Sequence, residues 1–272
     1  MTPAGIGAIA DRLMAAYDGA TTLAPISAGE PGFDVAAAYD VLAEIERRRR
    51  AQGWQSVARK IGFTNRTIWA RYGVYQPMWA HVYAQTVHFA QAGQATLPLA
   101  RFVQPRIEPE VVFRLNAPVP ATDDADAILR CVEWIAPGFE IVQSHFPDWK
   151  FTAADCTAAF GLHGALVVGT PVPITAQNRA ALVAALPAFT LQLRRGGTLI
   201  DTGVGANVLG SPALTLAHLA RVLSTQSWAA PLAAGEVITT GTVTDAWPVA
   251  AGETWTSDYG ALGIPGLMLT FS

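Results

Sequence analysis

The chain has 272 residues, of which 51% are hydrophobic and only 14% charged, with 24 glycines and 18 prolines. That is long enough for one large or two modest domains with a sizeable core, rich in turns and buried strands. A net charge of −3 argues against nucleic acid as the main partner. The first residues lack a basic run and an unbroken apolar core, and no stretch of about 18 apolar residues occurs, so neither a signal peptide nor a membrane span is expected. Cys131 and Cys156 fit no metal or redox spacing and read as reduced core thiols, which suits a cytoplasmic protein.

In chain order, the N-terminal fifth reads as helical. Val35, Tyr39, Leu42 and Ile45 form one stripe, with Asp34 as N-cap and Gly53 past the end. The basic run Arg47–Arg50 reads as a solvated helix end that complements the helix dipole. A short strand then ends at Lys60-Ile61-Gly62. From about residue 85 short apolar runs alternate with Gly, Pro and Asp clusters, as in a β-rich domain. The division expected is a helical region over 1–84 and a β-rich catalytic domain over 85–272.

The segment "QPRIEPEVVFRL" reads as a strand carrying Glu108 and Glu110 on one face, since residues i and i+2 share a face about 7 Å apart. "DDADAILRCVEWIAPG", Asp123 to Gly138, reads as a helix with Ile128, Val132 and Ile135 inward, after which Glu140 opens a second strand in "FEIVQS". Gly196-Gly197 predicts a tight hairpin, and Ser211-Pro212 opens a further helix. Short strands divided by glycine turns fill the tail. Strands and helices do not alternate strictly, so the pattern predicts a mixed sandwich or barrel-like roll with a few helices rather than a doubly wound sheet.

Three carboxylates from two strands can hold a hard divalent cation, with no Cys/His cluster to favour zinc. The spacing alone equally describes a solvated strand face. Lys60 taken alone reads as a surface lysine, His218 as structural, and His163, flanked by glycines, as a cavity-lining candidate. Trp69 and Trp79 lie in an aromatic stretch that could pack in the core or wall a pocket. "GVGANVLGSP" lacks the spacing of a dinucleotide loop and reads as a structural turn.

Five segments together, "RKIGFTN", "PRIEPEVVF", "PGFEIVQSHFPDWKF", "GVGANVLGSPALTLAHLARVL" and "AAGEVITTGTVTDAWPVAAGETW", resemble the 2-keto-4-pentenoate hydratase and 4-oxalocrotonate decarboxylase branch of the fumarylacetoacetate hydrolase-like superfamily. The resemblance implies an α+β, mostly β roll that holds Mg²⁺ or Mn²⁺ on Glu108, Glu110 and Glu140. It implies Lys60 in the active site, a 2-oxo-4-enoate or 2-hydroxydienoate substrate and a homo-oligomer. It favours a hydratase, with a decarboxylase next, then an acylpyruvate C–C hydrolase and an inactive partner subunit.

Two departures mark this chain. "QPMWA" has Met78 where the family carries an acid, and "AAFGLHG" has Phe160 and Gly161 near the usual Asp-Asn pair. The expected pocket is therefore more apolar and aromatic than usual, with Trp79, Phe160, Gly161 and Lys150 as substrate contacts. Lys60, His163 and His145 remain as candidate proton-transfer groups.

Overall fold

The structure is a computed structural model that describes Met1–Ser272. Thr2 Oγ1 accepts the Gly5 N–H at 3.2 Å and Pro3 takes the first helical position, which starts α1 (Pro3–Gly19). After the one-turn α2 (Ile26–Gly29), Asp34 caps α3 (Val35–Ala51) by accepting the Ala37 N–H at 2.8 Å. These helices share a second core in which Ile9, Leu13 and Tyr17 meet Val41 and Ile45. Arg49 is not a solvated helix end. It lies seven residues after Leu42 on the inward stripe, is 2% exposed, stacks over Trp54 at 4.4 Å and bonds Asp18.

The strands follow as β1 (Ser56–Gly62), β2 (Met78–Tyr83), β3 (Val87–Phe89), β4 (Gln94–Leu97) and β5 (Arg106–Leu115), with the one-turn α4 (Trp69–Tyr72) between the first two. Next come α5 (Ala125–Leu129), β6 (Val132–Val142), α6 (Ala153–Ala158), β7 (His163–Val168), β8 (Val172–Pro173) and α7 (Arg179–Ala188). β9 (Thr190–Arg195), β10 (Thr198–Val204) and α8 (Pro212–Ser224) precede β11 (Val237–Thr239), β12 (Trp247–Pro248), β13 (Thr254–Asp258) and β14 (Leu267–Phe271). No helix is long and apolar enough to cross a membrane.

One sheet runs β2-β1-β11-β5-β6-β7-β3, with β12 added beside β5 and β8 beside β6. A second runs β10-β9-β13-β14-β4. β1 and β2, which the sequence-based division groups with the N-terminal helices, thus pair into the larger sheet. One face of that sheet, including Ile107, Val111, Phe113, Phe139 and Ile141, packs in the main core with the second sheet and α8. Its other face carries a smaller apolar cluster of Ala58, Val82, Val112, Ala136 and Leu166. Alternation puts Lys60, Glu108, Glu110 and Glu140 on this second face, beyond the apolar cluster.

The helix expected over 123–138 is a correction. Asp124 caps only the short α5, and the chain becomes β6 at Val132, so Val132 and Ile135 are strand residues. β6 is buried on both faces, and such a strand reads as a continuous apolar run. Pro137 is tolerated because it falls at a gap in the flanking ladder: β8 pairs at Trp134 and Ile135, and β7 starts only at Gly138. Gly138 is required, since a Cβ there would overlap the Val112 side chain. The Gly196-Gly197 hairpin forms as read, with φ of 54° and 85°. α8 also begins at Pro212, but the Ser211 hydroxyl is buried without a partner and makes no cap.

Candidate active site

Glu108 and Glu140 are direct cross-strand partners, and Glu110 lies opposite Gly138. One ligand oxygen from each of the three carboxylates lies within 4.8 Å of the others. Glu110 and Glu140 are fully buried, while Glu108 reaches the cavity. Glu110 Oε2 accepts the Gly241 N–H at 2.7 Å, and its Oε1 is buried with no partner.

Glu140 is the charged member of the set. Lys60 Nζ lies 3.0 Å from its Oε2 as an ion pair, and His163 Nδ1 lies 2.8 Å from its Oε1. The other nitrogen of His163 is 2.9 Å from Thr86 Oγ1, whose own hydrogen goes to the Tyr83 carbonyl. Burial pushes the Glu140 carboxyl up, but Lys60 and His163 outweigh it and hold it at about 2. Burial and the charge of Glu140, only partly offset by Lys60, push Glu108 up to about 7. Burial and the two neighbouring carboxylates raise Glu110 well above its ordinary range. Burial lowers Lys60, and the three carboxylates more than reverse that.

This set fits a hard divalent ion. It offers oxygen ligands only, one of them unpartnered and buried, and two of its carboxyls cannot easily hold their charge without an added cation. Glu108, Glu110 and Glu140 are the residues that could hold it.

A cavity adjoins the triad through Glu108, with Lys60, Tyr72, Trp149, Met78 and Leu162 also among its walls. The cavity is narrow, with a volume of about 30 Å³, room for water between these side chains. Met78 lines it, and its sulfur accepts the Thr157 hydroxyl at 3.4 Å. Gly161 lines it with φ of 58°, where a Cβ would come 2.9 Å from the Ala80 methyl.

Four expected contacts lie elsewhere. Trp79 alternates with Met78 to the opposite sheet face, where it stacks on Tyr39 and Trp228 and bonds Gln226. Phe160 packs on Tyr17 at 4.4 Å, in the helical core. His145 bonds the Thr21 carbonyl at 2.9 Å and does not line the cavity. Lys150 is exposed beside Asp148, because positive φ angles at Asp148 and Trp149 turn Trp149 inward and leave Lys150 outside. His163 supports Glu140 from behind rather than facing the cavity. Sequence reasoning missed Tyr72 and Gly241; the TTGT segment before Val243 was the available sign of a tight turn at the triad.

A two-sheet roll gathers three strand carboxylates that could hold a metal ion beside a buried lysine. The chain belongs to the fumarylacetoacetate (FAA) hydrolase C-terminal family, which matches residues 58–265. It is 32% identical to a 2-hydroxyhexa-2,4-dienoate hydratase of Comamonas testosteroni over 89% of each chain. It is 30% identical to a 4-oxalocrotonate decarboxylase of a Pseudomonas species, over 85% of this chain and 84% of that one. Both relatives are lyases. The fold matches that of a 4-oxalocrotonate decarboxylase from Pseudomonas putida G7 complexed with magnesium and adipate, with a TM-score of 0.89 at 24% identity over 100% of this chain and 99% of that one.

Proposed function

We propose that this chain is a divalent-metal-dependent lyase acting on a short 2-oxo-4-enoate or its 2-hydroxydienoate tautomer, in the hydratase direction. The observation that carries this reading is the oxygen-only triad of Glu108, Glu110 and Glu140, which meets a cavity through Glu108 beside Lys60. A bound Mg²⁺ or Mn²⁺ supplies Lewis acidity toward the carboxylate and keto oxygens of a chelating 2-oxo acid.

The protein's own groups do the rest. Hydration adds a proton to one carbon of the conjugated system and hydroxide to another, and the proton released by the attacking water returns to the group that supplied the first. Lys60 Nζ is the cavity's cationic proton carrier, and Glu140 keeps it charged at 3.0 Å. His163 and the Gly241 N–H orient Glu140 and Glu110, so that two of the three carboxylates are fixed before substrate arrives. The apolar wall of Met78 and Leu162 keeps bulk water away from the reacting carbons.

The same reading makes the protein a cytoplasmic homo-oligomer, to which its two free thiols are suited. Purified protein with Mg²⁺, given a 2-hydroxydienoate, is expected to bleach its ultraviolet band, and chelation should stop the loss. No bleaching across a panel of chain lengths would contradict the reading.

A further inference from the structure

The cavity wall bears on the far end of the substrate, a point that rests on the lyase reading above. Beyond the triad, Phe63, Ile68, Val142, Met78, Leu162 and Ala246 supply apolar surface. Lys60 is the single basic side chain on the lining, and it is already paired with Glu140.

The nearby Arg106 is committed. Its guanidinium stacks over Trp149 at 4.1 Å and donates to the Tyr72 hydroxyl at 2.6 Å, so it sits behind the aromatic wall rather than on the lining. The polar side chains on the lining bond mainly within the protein. Thr64 Oγ1 donates to the Thr240 carbonyl at 2.8 Å, and Asn65 Nδ2 donates to the Thr244 carbonyl at 3.3 Å. Thr242 Oγ1 donates to the Thr244 carbonyl at 3.0 Å. The donors left over, the Tyr72 hydroxyl and the second N–H of the Asn65 amide, are neutral. A second carboxylate buried against this wall would find no counter-charge, a costly state for an ion.

We infer that the site selects 2-oxo acids whose far end is uncharged, such as an alkyl-ended dienoate, and rejects those ending in a second carboxylate. Met78 and Leu162 are the residues that set this choice, with Arg106 held out of it by Trp149 and Tyr72.

The test compares matched six-carbon ligands. The saturated 2-oxo acid ending in a methyl group and the one ending in a carboxylate are titrated into the Mg²⁺-loaded protein by calorimetry. The methyl- and carboxylate-ended 2-hydroxydienoates are assayed beside them. The methyl-ended acid is expected to bind about 100-fold more tightly, and its dienol to show a kcat/KM higher by a similar factor. Equal or tighter binding of the carboxylate-ended acid would overturn the inference, as would failure of both to bind. If the binding preference holds while neither dienol is turned over, selectivity stands and the lyase reading falls.

Discussion

Glu108 stands directly opposite Glu140 across the β5–β6 ladder, an arrangement in which two like charges share one cross-strand site. Such a pair destabilises a sheet unless a cation lies between or beside its members. In the metal-free protein that cation is Lys60, 3.0 Å from Glu140, and its single charge faces three carboxyls. Were all three ionised, they would carry more negative charge than Lys60 offsets, and a divalent ion is what such a set could hold.

Replacing Lys60 with Met removes the one permanent charge partner of a fully buried carboxylate. Breaking a buried pair in this way costs about 3–5 kcal/mol. Urea denaturation of Lys60→Met without metal should show a loss of that order, with a smaller loss in saturating Mg²⁺. Unchanged stability would mean that Lys60 does not neutralise Glu140.

Metal affinity should fall as the solution is acidified. Glu108 lies at about 7 and Glu110 is raised well above its ordinary range by burial and its neighbouring carboxylates, so the metal must displace protons there as pH falls. Calorimetry in buffers of different protonation enthalpy should find at least one proton released per ion near pH 7. Affinity should weaken about tenfold per unit below that. The stability of the metal-free protein follows the same groups. The raised Glu108 carboxyl contributes stability at low pH that is lost as pH rises from about 4.5 toward 7, and Glu110, raised in the same direction, adds to that loss. Glu140, held at about 2, contributes stability above 4.5 that is lost as pH falls toward 2. These three groups thus place the metal-free optimum near pH 4.5, and added Mg²⁺ should move it upward.

His163 touches Glu140 and Thr86 and has no place on the cavity wall, which makes it a positioning residue. His163→Ala should weaken metal binding about 10–100-fold, the usual cost of losing such a support. At saturating metal most of kcat should return. A loss of kcat that metal cannot restore would place His163 in the chemistry itself.

Gly241 has φ of 91°, and a Cβ there would overlap the Thr64 hydroxyl. Its N–H also fixes Glu110 at 2.7 Å. Gly241→Ala should lower stability by about 2 kcal/mol or more and weaken metal binding in the same protein. Thermal melts with and without Mn²⁺ read both effects.

Part of this site was legible in the sequence. Two glutamates spaced i, i+2 in a β-branched run declare a shared face, and Asp34, Gly196 and Gly197 declare a cap and a turn by their own chemistry. What sequence concealed was which side chains turn toward which layer. The helical period looked plausible for Ile128, Val132 and Ile135 because a strand buried on both sides leaves no alternation to read. The choice of Trp79 over Met78 failed on a one-residue phase. Only the pairing of Lys60 with Ala80 and Gly62 with Met78 reveals which of the two faces the triad. Arg49 hid within a run of four arginines, where its inward phase has no local mark. Lys150 moved out of reach through left-handed backbone at Asp148 and Trp149, residue types that do not demand it.

The most direct test of the carboxylate site is a manganese titration followed by electron paramagnetic resonance, on wild type and on Glu108→Gln and Glu110→Gln. One ion per chain is expected in the wild type, with binding weakened more than about 100-fold in each variant while both remain folded. Binding of equal strength and stoichiometry in folded Glu110→Gln would contradict the assignment of the metal to these three residues.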